Sequence, residues 1–125
     1  MKQHSPLFLN LVLDAKKHIK EITPLVLKEK IERAEPMCII DVREDNEWQT
    51  VGHIPTALHL GKGIIERDIE NLLTDLKTPI IVYCSGGFRS ALAAKSLQQM
   101  GFNRVYSLSD GLKGWIDAGF SIEKD

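Results

Sequence analysis

The sequence predicts an α/β fold: a small parallel sheet with helices on both faces, plus an extra helix at the N-terminus. Two observations predict it. Stretches with helical periodicity alternate with short apolar runs along the chain. The runs, such as Ile80-Ile81-Val82-Tyr83, are apolar at consecutive positions, as strands covered on both faces must be.

Each element has its own signal. Ser5 can cap a first helix, and Pro6 sits at its first position, where a missing N–H costs nothing. Phe8, Leu11, Val12, Ala15 and Ile19 then fall on one stripe. Thr23-Pro24 opens a second helix by the same chemistry, with Leu27, Ile31 and Ala34 on one face. Cys38-Ile39-Ile40-Asp41-Val42 reads as a short buried strand. Glu44 to Val51 is polar and reads as a short helix or turn. Ala57 to Leu60 is a weak strand. Ile64 to Leu76 reads as a helix, with Ile65, Ile69, Leu72 and Leu76 in register. Pro79 to Tyr83 is the strongest strand, and proline is tolerated at its start. Gly87 to Met100 is a helix stopped by Gly101. Arg104 to Leu108 is a further strand, and Leu112 to Ala118 a last short helix. The organisation expected is an N-terminal amphipathic helix over residues 1–21 and one domain over residues 22–125.

Composition narrows the function. Of 125 residues, 38 are Leu, Ile, Val or Phe, above the ~20% below which chains tend to be disordered. Sixteen basic and seventeen acidic residues give a net charge of −1, without the basic excess of a nucleic-acid binder. Two cysteines cannot form a dense disulfide framework. No apolar run approaches the ~18 residues that span a bilayer. Lys2 followed by Leu7 to Leu13 imitates a signal-peptide core. Asn10 interrupts it, Asp14, Lys16 and Lys17 follow at once, and no small-residue cleavage site appears. The expectation is a cytoplasmic globular domain with no nucleic-acid partner and no membrane span.

In parallel sheets ligands bind beyond the carboxyl ends of the strands. Two strand ends carry unusual chemistry: Asp41-Val42-Arg43 and Cys84-Ser85-Gly86-Gly87-Phe88-Arg89-Ser90. A strand end directly before a helix points free N–H groups at whatever sits there. Gly86 and Gly87 let successive N–H groups converge into an anion nest. Arg89 adds a fixed positive charge. A thiol in such surroundings gives up its proton readily. A tight turn with an inert cysteine is the plain alternative, but it explains neither the paired glycines nor the arginine.

These residues carry a resemblance. Cys84 to Ser90, set between an apolar strand and an alanine-rich helix, resembles the active-site loop of the rhodanese family of sulfurtransferases. Ile40-Asp41-Val42-Arg43, Glu47-Trp48, Gly52-His53-Ile54-Pro55 and Ala57 resemble a second family signature. Val105-Tyr106, Asp110-Gly111-Leu112 and Gly114-Trp115 resemble a third, with Asp110 in place of a glycine. The resemblance runs from about Ile22 to Phe120. It implies a rhodanese-like sheet of five strands and a catalytic Cys84 that cycles through a persulfide. The persulfide-binding loop would be Ser85, Gly86, Gly87, Phe88, Arg89 and Ser90, with Asp41 and Arg43 in support. It implies no metal and no organic cofactor. The partners implied are a small-molecule or protein sulfur donor and a thiol- or cyanide-like acceptor. The apolar stripe of the first helix leaves a homodimer open.

Three alternatives share the fold. Phosphatases of this fold resemble the chain but carry five residues between Cys and Arg, where this loop has four. Some rhodanese-like domains act only in binding or sulfur relay, and some reduce arsenate. Retention of Cys84 speaks against a purely binding role.

Other residues have structural readings. Arg43 and Glu47 are spaced to pair across a helical turn. Asp41 should orient the second loop by accepting hydrogen bonds. His53 belongs to a signature turn, and Trp48 is a packing residue. His53 and His59 are six apart, which is not zinc spacing. Cys38 begins one strand while Cys84 ends another. An offset of about five residues at ~3.3 Å each is beyond the ~7 Å reach of a disulfide. With Arg89 as its one cation, the loop does not advertise strong affinity for a dianionic donor.

Overall fold

A computed structural model describes residues 4–125; Lys2, part of the signal-peptide imitation, lies outside them. The chain forms helices α1 (Pro6–Lys16), α2 (Pro24–Glu32), α3 (Asp45–Val51), α4 (Ile65–Asp68), α5 (Phe88–Met100) and α6 (Gly111–Asp117). The strands are β1 (Lys20–Ile22), β2 (Cys38–Asp41), β3 (Leu58–His59), β4 (Ile80–Tyr83) and β5 (Val105–Leu108). They make one five-stranded parallel sheet in the order β1-β5-β4-β2-β3. The most apolar strand, β4, lies at its centre, where both faces are covered.

Alternation along β2 and β4 divides the interior in two. Ile40, Val42, Ile80, Val82 and Cys84 face α4 and α5, where Ile65, Ile69, Ala93 and Leu97 meet them. Ile39, Ile81 and Tyr83 face the other way, against Leu27 of α2 and Leu112 and Trp115 of α6. The small alanines of α5 let that helix lie close to the sheet. Helix α1 packs outside α5, burying Val12 and Ala15, while Leu11, placed on the same stripe by periodicity, is exposed.

Local chemistry sets the helix ends. The Ser5 hydroxyl accepts from Phe8 N–H at 3.4 Å, and the Thr23 hydroxyl from Val26 N–H at 3.2 Å. Each helix has proline in its first turn. Gly101 ends α5 at φ 113°, the left-handed conformation that glycine adopts without strain.

Two expectations change. The fifth strand, β1, shows no apolar run: it is Lys-Glu-Ile on a sheet edge, with only Ile22 partly covered. Its pairing with Tyr106 to Leu108 forms it, not its own composition. The helix expected from Ile64 to Leu76 is shorter. One turn, α4, passes into a 3-10 turn over Ile69–Asn71 and stops. Ile65 and Ile69 are buried as their register predicts, but Leu72 and Leu76 are exposed. The Asp75 carboxylate accepts from Lys77 N–H at 2.9 Å, a local turn that competes with helix.

Candidate active site

Cys84 follows β4 directly, and α5 begins four residues later. Its Sγ accepts hydrogen bonds from Gly87 N–H at 3.1 Å and Ser90 N–H at 3.4 Å. The thiol also meets the Ser90 hydroxyl at 3.6 Å, which in turn lies 2.8 Å from the Ser107 hydroxyl on β5. Ser90 and Ser107 are buried. The sulfur thus sits among hydrogen-bonding groups at the start of a 13-residue helix, whose first-turn N–H groups have no partners within the helix. That arrangement complements negative charge on sulfur.

The loop takes this shape through two glycines, one of them outside it. Gly87 stands at φ 94°, a conformation that side chains disfavour. Gly111, at φ 56°, lies against the loop from behind, and a Cβ there would stand 2.5 Å from the carbonyl oxygens of both Cys84 and Ser85. The next N–H groups of α6 hold those carbonyls: Leu112 N–H donates to Cys84 at 2.8 Å, and Lys113 N–H to Ser85 at 3.0 Å. Asp110 has φ 63°. It occupies a left-handed position, which aspartate tolerates better than most residues, and this accounts for its standing where the resemblance has glycine.

The two arginines near the loop are both paired, and not as spacing suggested. Arg43 does not pair with Glu47. Its guanidinium turns back onto Asp41, with Nε–Oδ1 3.0 Å and Nη2–Oδ2 2.7 Å, and also donates to the Gly52 carbonyl. Both side chains are buried. Burial works against the Arg43 charge, but the bonds and charge of Asp41 outweigh it and hold its pKa above the ordinary value. Asp41 Oδ1 also accepts from Arg43 N–H at 2.9 Å, at the start of the second loop.

Glu47 reaches Arg89 instead. The contact is a two-pronged fork, Nη1–Oε1 2.7 Å and Nη2–Oε2 3.1 Å. Hydrogen bonding to Arg89 is the main force holding the Glu47 carboxyl below the usual carboxylate range. The same bonds raise the Arg89 pKa, and nearby Cys84 and Glu44 add to this. Glu47 also closes a capping box, accepting from Glu44 N–H at 3.2 Å. Its link to Arg89 was not legible in spacing, because the partners are 42 residues apart.

The remaining site residues find separate places. Ser85 and Gly86 are exposed at the rim. Phe88 turns toward α1, with its ring 4.7 Å from His4, 6.4 Å from Phe8 and 5.4 Å from Lys16 Nζ. Tyr83 points to the opposite face of the sheet, where its hydroxyl accepts from Ile54 N–H at 3.1 Å. Burial is the main cause that pushes its phenol far above the ordinary value. His53 stacks on Trp48 at 3.8 Å, and both rings bind the Asp125 carboxylate. Cys38 pairs with Ile80 across the sheet, so Cys84 lies four residues further along, ~13 Å away.

A shallow groove of about 250 Å³ opens beside the loop between α3 and α6. Val51, Leu112 and Ile116 supply its apolar wall, and Arg43, Glu47, Ser85, Lys113 and Asp117 the polar and charged remainder.

Comparison with known proteins agrees with this geometry. Residues 23–118 match the family described as Rhodanese-like domain. YtwF of Bacillus subtilis, which bears the name of a sulfurtransferase, is 40% identical over 97 residues, spanning 78% of this chain and 90% of its own. The thiosulfate sulfurtransferase GlpE of Coxiella burnetii is 33% identical over 96 residues, 77% of this chain and 86% of its own. Among solved structures, a Rhodopseudomonas palustris protein of unknown function, described as a possible tyrosine phosphatase, aligns over 98% of this chain and 99% of its own. Its TM-score is 0.82 at 29% identity. The polysulfide-sulfur transferase homodimer of Wolinella succinogenes aligns over 95% and 88% with TM-score 0.80 at 25% identity. With the family matched over residues 23–118, most of its length, this chain belongs to the rhodanese-like domain family.

Proposed function

We propose that this protein is a sulfurtransferase that carries sulfane sulfur on Cys84. The observation that carries the reading is the position of Cys84 Sγ, facing Gly87 and Ser90 N–H groups at the mouth of α5. In the first step the Cys84 thiolate attacks the outer sulfur of a donor. With thiosulfate, the new Sγ–S bond forms as the donor S–S bond breaks, and sulfite leaves with the electron pair. In the second step an acceptor such as cyanide attacks the terminal sulfur, taking it as thiocyanate and returning the thiolate. Dividing one transfer into two is ordinary covalent catalysis, and the persulfide is a reversible state of cysteine.

Ser85 to Ser90 form the cradle in this reading. Gly87 and Ser90 bind the sulfur, Gly86 leaves the rim open, and Arg89 ties the start of α5 to Glu47. Asp41 and Arg43 fix the neighbouring loop. The donor is a small molecule or a protein persulfide, and the acceptor a thiol or a cyanide-like nucleophile. Two free cysteines fit a reducing compartment, the cytoplasm. Within the segment 1–21, helix α1 acts as an accessory to a catalytic unit over 22–125, and edge strand β1 (Lys20–Ile22) crosses the boundary between them.

The description of the Rhodopseudomonas structure makes phosphate-ester hydrolysis the second reading. The four-residue gap between Cys84 and Arg89 favours sulfur. Incubation with thiosulfate and cyanide, with an aryl phosphate assay alongside, tests both. Thiocyanate should form, and mass spectrometry should find one added sulfur on the Cys84 peptide. Cys84→Ser should abolish both. Sulfur on Cys38, or thiocyanate formation retained by Cys84→Ser, would sink the proposal.

A further inference from the structure

We infer that Glu47 is a specificity-determining residue that sets the loop against dianionic sulfur donors and in favour of alkyl persulfides. The inference rests on the sulfurtransferase reading and names its donor class.

Charge is the first argument. A thiolate attacking thiosulfate brings three negative charges together. A thiolate attacking a protonated alkyl persulfide, RSSH, brings one. In that step Sγ bonds to the outer sulfur, the donor S–S bond breaks, and RS⁻ leaves, while the proton stays on the transferred sulfur. Thiosulfate therefore needs a cation at the loop far more than the persulfide does.

Among the described residues, both arginines beside the loop are already paired. Arg89 is held by both oxygens of Glu47, and Glu44 adds further negative potential around it. Arg43 is buried in its pair with Asp41. Lys113 lines the groove as well, but it is exposed to solvent and its screening. The capping box holds Glu47 in place, since one carboxylate oxygen also receives the Glu44 N–H. Glu47 therefore does not need to swing away from its own helix to bind Arg89.

Shape is the second argument. Beside the loop lies a wall of Val51, Leu112 and Ile116, with Val51 and Ile116 both exposed. An alkyl group can lie there beside Ser85, the residue that follows Cys84. Thiosulfate has no apolar part to use it.

Glu47→Gln separates charge from structure. Glutamine serves a capping box as glutamate does, but it leaves Arg89 with its charge uncompensated. The test measures Cys84 loading by thiosulfate and by ethyl persulfide, in wild type and in this variant, across a range of salt. Wild type should show the higher kcat/KM with ethyl persulfide, and its KM for thiosulfate should change little with salt. In Glu47→Gln the KM for thiosulfate should fall roughly threefold to fivefold, as expected for a partly exposed charge interaction. It should also become salt-dependent, and the preference for persulfide should shrink by the same factor. A wild-type preference for thiosulfate would overturn the inference. So would a variant that changes both donors equally, or lowers kcat with KM unmoved, the mark of a structural role. Should Glu47→Gln fail to fold, the wild-type donor preference and salt dependence still decide. Loading by neither donor would overturn the sulfurtransferase reading and this inference with it.

Discussion

Gly111 and Cys84 are in backbone contact so close that any side chain at Gly111 would strike the Cys84 carbonyl oxygen. The obstacle is main chain, which cannot rotate aside as a flexible side chain would. Gly111→Ala should therefore push the loop forward. We predict a stability loss of about 1–3 kcal/mol, as for other overpacked sites, and a larger proportional loss of Cys84 sulfur loading. Asp110→Gly should be close to neutral, because glycine suits the left-handed backbone there. Urea unfolding and mass spectrometry of the loaded protein measure the two effects.

The Asp41–Arg43 pair should behave as a buried structural element. Asp41→Ala leaves a buried guanidinium without its carboxylate, and such losses cost about 3–5 kcal/mol. Arg43→Lys keeps the charge but loses the fork that binds both Asp41 and the Gly52 carbonyl. It should fall between wild type and Asp41→Ala. A denaturant midpoint unchanged in both variants would contradict the assignment.

Acid should weaken the protein partly through Glu47. Its folded pKa is depressed, chiefly by hydrogen bonding to Arg89. The unfolded chain therefore binds this proton first as pH falls. The stabilisation is complete above the ordinary glutamate value of about 4.3, and it is lost as pH drops toward and through the lower folded value. Glu47→Gln should lose less stability than wild type over that acid range. Parallel slopes of unfolding free energy against pH would refute this.

Removal of residues up to Ile19 should leave Cys84 loading in place while lowering stability. The cut uncovers the surface of α5 on which Val12 and Ala15 lie. A fully buried valine contributes about 1.5–3 kcal/mol, so the melting temperature should drop by several degrees. Light scattering would show whether the exposed Leu7, Leu11 and Leu13 of α1 also join two copies. A shortened chain of equal stability and unchanged size would refute the packing role.

Loop length should decide sulfur against phosphorus. The N–H groups close on a single sulfur at 3.1 and 3.4 Å, and the three equatorial oxygens of a transferring phosphoryl group need a wider ring. Wild type should hydrolyse aryl phosphates no faster than Cys84→Ser. One small residue inserted between Gly87 and Phe88 should reduce sulfur transfer and permit weak vanadate binding. Cys84-dependent phosphatase turnover in wild type, with no persulfide from any donor, would reverse the assignment.

What the sequence disclosed followed the range of the interactions. Strands β2, β4 and β5 were legible because burial on both faces leaves a mainly apolar run. The caps at Ser5 and Thr23 were legible because partners three residues apart write themselves into local sequence. Strand β1 was not, because an edge strand of three residues is made by its neighbour. The i, i+4 spacing of Arg43 and Glu47 misled, because Arg43 lies before α3 begins and so never shares its helical face. Ser107 had a signal that went unused: a lone hydroxyl within the apolar strand Val105–Leu108 needs a buried partner, and Ser90 is that partner.

That hydroxyl pair has a consequence for the proposed sulfur transfer. Each of the two hydroxyls can turn about its own C–O bond. With a thiol at Cys84, the S–H can point to Ser90, and Ser90 can point on to Ser107. With an anionic sulfur the relay can reverse, Ser107 toward Ser90 and Ser90 toward the sulfur. Only hydrogens move, so the dipoles behind the sulfur follow its charge without repacking the sheet. Ser107→Ala would remove the far end of this relay while leaving the N–H donors of Gly87 and Ser90 in place, so Ser90 would lose the partner toward which it turns.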